Sequence, residues 1–178
     1  MDLEKKILSP IDQLNRFVGR YVSWLSLGLM LLVFFDVIMR YAFKRSFVFV
    51  QEAEWHMFAV LFLVGGGYTL LKDSHVRVDV FYQKMSPRVQ AWINFLGVLL
   101  LLIPGCYLVI STSAKFAWTS WLTREASADP GGLPARYLLK AVVPIAFLLI
   151  GLQGISMGLR NLSVIMRGSD PDSGKESH

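Results

Sequence analysis

The fold class predicted by this sequence is an all-α integral membrane protein: four transmembrane helices with an N-terminal interfacial amphipathic helix. Three observations predict it. Of its 178 residues, 54% are hydrophobic and the mean hydropathy is +0.48, which sets the chain among membrane proteins rather than basic soluble domains. Apolar runs recur that are long enough to cross a hydrocarbon core about 30 Å thick at about 1.5 Å per residue. Charged and turn-forming residues gather between those runs. The net charge of +5 therefore suggests flanks facing anionic lipid, not a nucleic-acid surface. The one cysteine, Cys106, sits inside an apolar run, so no disulfide or cysteine-metal framework forms within one chain.

The N-terminal segment places Ile7, Ile11, Leu14 and Val18 near one face, with Lys5, Lys6, Arg16 and Arg20 on others. Ser9 can cap a helix there and Pro10 suits its first turn. Two readings are open, a short helix lying in the interface or an extension of the first span. That span covers about residues 21–39 and ends in Arg40-Tyr41-Ala42-Phe43-Lys44-Arg45 rather than in small residues, so it reads as a retained anchor, not a cleaved signal. Asp36 is its one acid and Arg40 lies one turn further on the same face, an expected intramembrane pair.

The second span, about residues 47–71, opens with Glu52, Glu54, Trp55 and His56. One acid at a helix N-terminus complements the helix dipole; two acids two residues apart point to different sides, so at least one faces protein or water. Gly65, Gly66 and Gly67 read as a surface for close helix packing, or less favourably as a local break around a ligand. The span closes on the polar string Lys72-Asp73-Ser74-His75-Val76-Arg77-Val78-Asp79. Ser86-Pro87 then marks a helix start.

The third span, about residues 91–110, contains Pro104-Gly105, where a kink is expected. Its polar continuation keeps Phe116, Trp118 and Trp121, as a helix leaving through the aromatic belt would. Asp129-Pro130-Gly131-Gly132-Leu133-Pro134 is turn chemistry. The fourth span, about residues 135–159, carries Pro144 and one buried amide, Gln153. Residues 1–165 thus form one four-span membrane domain, and the polar tail 166–178 reads as disordered. Lys and Arg are commoner on the side holding both termini than on the other, which puts the termini in the cytoplasm, Glu52 and Glu54 outward and the 73–79 string inward.

Enzyme classes find little support. His56 and His75 lie 19 residues apart, about 28 Å along one helix, so they cannot share a haem within the chain. No Ser-His-Asp, metal-ligand or phosphate-loop spacing occurs. A self-sufficient secondary transporter would show internal repeats and broken helices around a midplane site, and this chain has neither repeat nor an ionisable residue near a span centre. An accessory membrane subunit with two decorated surfaces fits the pattern; a membrane anchor subunit of a redox enzyme is the alternative.

The segments Arg40-Tyr41, Gln51-Glu52-Ala53-Glu54-Trp55-His56, Gly67-Tyr68-Thr69-Leu70 and Asp73 to Asp79 resemble the small membrane subunit, DctQ type, of tripartite ATP-independent periplasmic (TRAP) transporters. Ser120-Trp121, Glu125-Ala126-Ser127 and Asp129 to Pro134, with Lys140, Pro144, Gln153, Gly154 and Arg160, resemble a branch labelled for mannitol, chloroaromatic or 2-oxo acid transport. The resemblance runs from about residue 16 to 161. It implies a non-catalytic small permease subunit in the bacterial inner membrane, with no cofactor and no metal. Its implied partners are a large multi-span subunit that moves an organic acid on a sodium gradient, a periplasmic substrate-binding protein and membrane lipids. Glu52, Glu54, Trp55, Asp73, His75, Arg77 and Asp79 become expected contacts with the large subunit or the lipid surface. Arg124, Glu125 and Arg136 become candidates for docking the binding protein. In the commoner family pattern the two acids are adjacent, whereas Ala53 separates Glu52 from Glu54 here.

Overall fold

A computed structural model of the protein describes residues 2–72, 82 and 84–167, with side chains described from Leu8 onward. The polar string containing Asp73, His75, Arg77 and Asp79 lies outside the described residues, as does the tail from residue 168. Among the described residues, four long helices account for the fold. They are α1 (Asp2–Tyr41), α2 (Val48–Leu71), α3 (Pro87–Leu122) and α4 (Arg136–Arg167). Each contains a stretch long and apolar enough to cross a membrane. The all-α four-span architecture expected from hydropathy is therefore present.

The start of α1 settles the choice left open by the sequence. No separate interfacial helix precedes the span; the amphipathic segment is continuous with it, and Pro10 lies inside the 40-residue helix. As the ninth residue of the helix, Pro10 lies beyond the four N–H groups that have no intrahelical partner, so the helix continues through it at the loss of one i→i−4 bond. Asp12 and Asn15 of this segment are directed onto α4, with Asn15 buried to 1% exposure, while Arg16 and Arg20 remain exposed.

Helix α4 is the hub. It packs extensively on α3 and α2 and more lightly on α1, while α1 packs along α2. The α3–α4 contact depends on small residues. A methyl group added at Gly151 would meet Cys106 Cβ at 3.6 Å, and one at Gly158 would meet Val98 Cγ1 at 3.3 Å; at Gly154 it would run into Leu102. Close approach of this kind supplies packing between membrane helices, where no hydrophobic effect acts between them. Large apolar side chains point the other way, among them Phe62 at 75% and Leu101 at 76% exposure, as expected of faces that meet lipid or another subunit.

The expected irregularity in α3 takes the form of a π-helical segment, Val98–Leu102, between α-helical Pro87–Gly97 and Ile103–Leu122. Pro104 explains its position. The proline ring has no N–H and collides with the carbonyl four residues back. A wider turn there, in which the Ile103 N–H reaches the Val98 carbonyl, keeps the helix continuous.

Candidate functional site

Polar chemistry collects at the two ends of the bundle. At one end, Glu52 in the second turn of α2 is 4% exposed. Its carboxylate accepts hydrogen bonds from Ser127 Oγ, from the Leu133 N–H at 2.5 Å and from Arg136 Nη2 at 3.2 Å. Those donors lie in the α3–α4 connection and in the first turn of α4, so one carboxylate on α2 holds the whole connection down. The backbone is shaped to permit this. Gly131 has a φ of +80°, and a Cβ at Gly132 would press into the Ser127 side chain and lie 2.8 Å from Glu52 Oε2. The turn chemistry of Asp129 to Pro134 thus serves a close approach to a buried anion.

A second clasp lies beside the first. Glu125 accepts from Ser120 Oγ at 2.7 Å and is paired with Lys140. These bonds hold its carboxyl below the ordinary carboxylate value, with the Lys140 hydrogen bond the largest cause and Ser120 the next. The Arg136 guanidinium also stands 5.6 Å over the Trp55 ring, and Lys140 lies 4.0 Å over Phe116. On the same end, Asp36 is 3% exposed and ion-paired with Arg40. Asp36 Oδ1 and Glu54 Oε1 are buried without a hydrogen-bond partner, and the two carboxylates interact electrostatically. His56 spends Nδ1 on the Glu52 carbonyl at 2.6 Å, a helix-internal bond.

The opposite end is joined by a network of which the sequence pointed only to Gln153 and Arg160. Asn15 Nδ2 donates to Gln153 Oε1 at 3.0 Å, Gln153 Nε2 donates to Asp12 Oδ1 at 3.0 Å, and Ser156 Oγ donates to the same oxygen at 3.1 Å. Arg160 completes it by pairing with Asp12. Asn15, Gln153 and Ser156 are all at 2% exposure or less. The network ties the third and fourth turns of α1 to the second half of α4, and Gly67 of α2 lies directly under Asn15.

The residues singled out in the sequence therefore part company. Glu52, Glu125 and Arg136 are engaged within the chain, while Arg124 and Trp55 remain exposed. Of the three consecutive glycines, Gly67 meets Asn15 and Gly66 meets Ile150 at 3.0 Å, whereas Gly65 faces open space. Asp12, Asn15 and Ser156 were not anticipated. Their signal was available, since Gln153, Ser156 and Arg160 follow the i, i+3, i+7 spacing of one helical face. Among the described residues no group of three or more His, Cys, Asp or Glu side chains is arranged to hold a metal ion.

Comparison with known proteins accords with this architecture. Residues 29–163 match the family model described as tripartite ATP-independent periplasmic transporters, DctQ component. The chain is 28% identical over 160 residues to a Haemophilus influenzae protein named as a TRAP transporter small permease protein, covering 87% of this chain and 96% of that one. It is 25% identical over 142 residues to the C4-dicarboxylate TRAP transporter small permease protein DctQ of Vibrio cholerae, covering 78% of this chain and 59% of the relative. No solved structure matches the chain significantly.

Proposed function

The chain belongs to the DctQ component family of tripartite ATP-independent periplasmic transporters, a multi-pass inner-membrane subunit, and from that membership we propose that it works as a non-catalytic brace. In this reading it fixes the scaffold of the large membrane subunit in the bilayer and offers part of the docking surface for the periplasmic binding protein. Transport is driven by a sodium gradient and the cargo is an organic acid, a substrate class to which the Vibrio cholerae relative's C4-dicarboxylate name belongs.

The observation that carries the reading is where the buried charge goes. Glu52 and Asp12 are consumed by bonds that join helix to helix and loop to helix at the two ends. Between those ends the helices offer broad apolar faces. A part that must carry load without moving needs fixed ends and a large lateral contact surface, and it needs no ionisable group at mid-depth. With the termini in the cytoplasm, as the Lys and Arg distribution favours, the Glu52 clasp and exposed Arg124 face the periplasm, where a binding protein arrives. Residues 1–165 act as one unit in this role. Glu54, Trp55 and the string Asp73, His75, Arg77 and Asp79 remain the proposed contacts with the large subunit or the lipid surface.

Pull-down of the tagged chain from membranes tests the assignment of partners, with a large multi-span protein and a periplasmic binding protein expected. Simultaneous replacement of His75, Arg77 and Asp79 by alanine is expected to weaken recovery of the large subunit and to lower uptake. A fully intact complex with unchanged uptake would overturn the contact role of that string.

A further inference from the structure

At the end of the bundle held by the Asp12 network there is a cavity of about 180 Å³, bordered by the last leucines of α2, by Asn94 of α3 and by Gln153, Arg160 and Asn161 of α4. It is many times larger than the roughly 10–15 Å³ that admits a water molecule. Asn94 lies seven residues inside α3 and Asn161 six residues before the end of α4, so both sit about 10 Å from the helix ends at 1.5 Å per residue. In a bilayer that depth corresponds to the polar interfacial layer, not the hydrocarbon centre.

The hydrogen-bonding capacity of the lining is unbalanced. Arg160 gives one terminal nitrogen to Asp12, and its side chain is 50% exposed, so the rest of its five-donor fork is open. Gln153 spends one N–H on Asp12, and Asn161 spends one on the Met157 carbonyl at 2.8 Å. Asn94 uses its amide nitrogen on the Tyr82 hydroxyl at 2.7 Å and on Asn161 Oδ1 at 3.4 Å. What remains is mostly donors around one guanidinium. Polar groups at membrane depth need partners, and a donor-rich cavity is matched by a group that only accepts.

We propose that this cavity binds the phosphate of a membrane phospholipid headgroup, with Arg160 supplying the guanidinium fork and Asn161 and Gln153 the orienting N–H donors. A tetrahedral phosphate can take two parallel bonds from a guanidinium, a geometry an ammonium does not reproduce. Asp12 occupies part of the fork and offsets its charge. Hydrogen bonding therefore sets selectivity for phosphate, and the lipid's chains would extend along the apolar surface next to Leu70 and Leu71. The reading needs only the membrane fold and does not depend on the transport role.

Native mass spectrometry of the full chain, extracted in detergent and then exchanged with phosphatidylcholine vesicles or vesicles containing phosphatidylglycerol, tests it. The wild type is expected to retain a phospholipid through exchange. Arg160→Lys, which keeps a cation beside Asp12 but lacks the fork, is expected to retain at least tenfold less, and Asn161→Leu to weaken retention in the same direction. Arg124→Lys at the opposite end is the control and should behave as wild type. A delipidated sample is also to be titrated with inorganic phosphate and followed by thermal shift. Protection by inorganic phosphate without retention of phospholipid would assign the cavity to a free anion and overturn the lipid source. Absence of retained phospholipid in the wild type, or equal retention in both cavity variants, would overturn the proposal.

Discussion

Gly67→Ala and Gly65→Ala are two chemically identical changes, two residues apart on one helix, with opposite expected signs. A methyl group at Gly67 would overlap Asn15 Oδ1, stand 3.3 Å from Asn15 Cγ and 3.5 Å from Leu149 Cβ. Asn15 cannot retreat cheaply, because its amide is held by Gln153 at 3.0 Å and by the Ile11 carbonyl at 3.2 Å. Overpacking costs about 1–3 kcal/mol and loss of the Asn15–Gln153 bond about 1 kcal/mol, against a gain in helix propensity of about 1 kcal/mol. The net loss is about 1–3 kcal/mol, which for a chain of this size lowers Tm by roughly 2–12 °C. Gly65 meets nothing within 4 Å, so there the propensity term stands alone and alanine is expected to be neutral or stabilising by up to about 1 kcal/mol. Thermal unfolding of the purified chain in detergent measures both. The double variant Asn15→Ala/Gly67→Ala should destabilise less than the sum of its singles, because removing the amide makes room for the methyl. Equal shifts for the two glycine variants, or a stabilised Gly67→Ala, would refute the assignment of Gly67 to a close approach.

Two further outcomes follow from the Glu52 end. Glu52→Gln replaces one acceptor oxygen by an NH2 group, which only donates, so the side chain no longer accepts from both the Ser127 hydroxyl and the Leu133 N–H, and residues 123–135 should become more susceptible to limited proteolysis, with the helices intact by circular dichroism. For Glu125 the sign follows from its lowered pKa: the clasp contributes stability above the ordinary carboxylate value of 4.5, and that contribution is lost as pH falls through the lowered folded value. Acidification should therefore expose the connection in the wild type, as read by amide exchange. In Glu125→Gln the connection should already be loosened at neutral pH, and this part of the pH dependence should vanish.

The four spans were legible because run length and charge exclusion are local properties of the chain, readable without knowing what touches what. Contacts across the fold were not. Ser127 and Arg136 lie 75 and 84 residues from Glu52, and nothing in the segment around Glu52 announces that both acceptor oxygens are occupied. Its N-terminal placement on α2 pointed to the surface, while a glycine-shaped connection came back to cover it. The N-terminal amphipathic segment shows the same limit. An apolar stripe opposite basic residues describes a helix on a lipid surface and a helix on another helix equally well, and only the matching polar stripe of Gln153, Ser156 and Arg160 on α4 separates them. Pro104 was read correctly as a disturbance, but the relief appears as a widened turn before it.

That widened turn also keeps time along α3. Val98, Leu102 and Cys106 all face the glycines of α4, although they are spaced four and four, a pattern that drifts about 40° per step around a regular helix of 3.6 residues per turn. The π segment holds one residue more than an α-turn would, and so returns all three to the same meridian. Deleting one residue between Val98 and Leu102 would restore a regular helix and leave its two flanks close to register, whereas the same deletion within the regular helix before Ala117 would rotate everything beyond the cut by about 100°. Ala117 and Ser120, buried at the far end, would swing out of the interface, and the hydroxyl that steadies Glu125 with them. The widened turn thus absorbs the extra residue: it lets one helix meet α4 with a single face along its whole length, from the lipid-cavity end to the clasp.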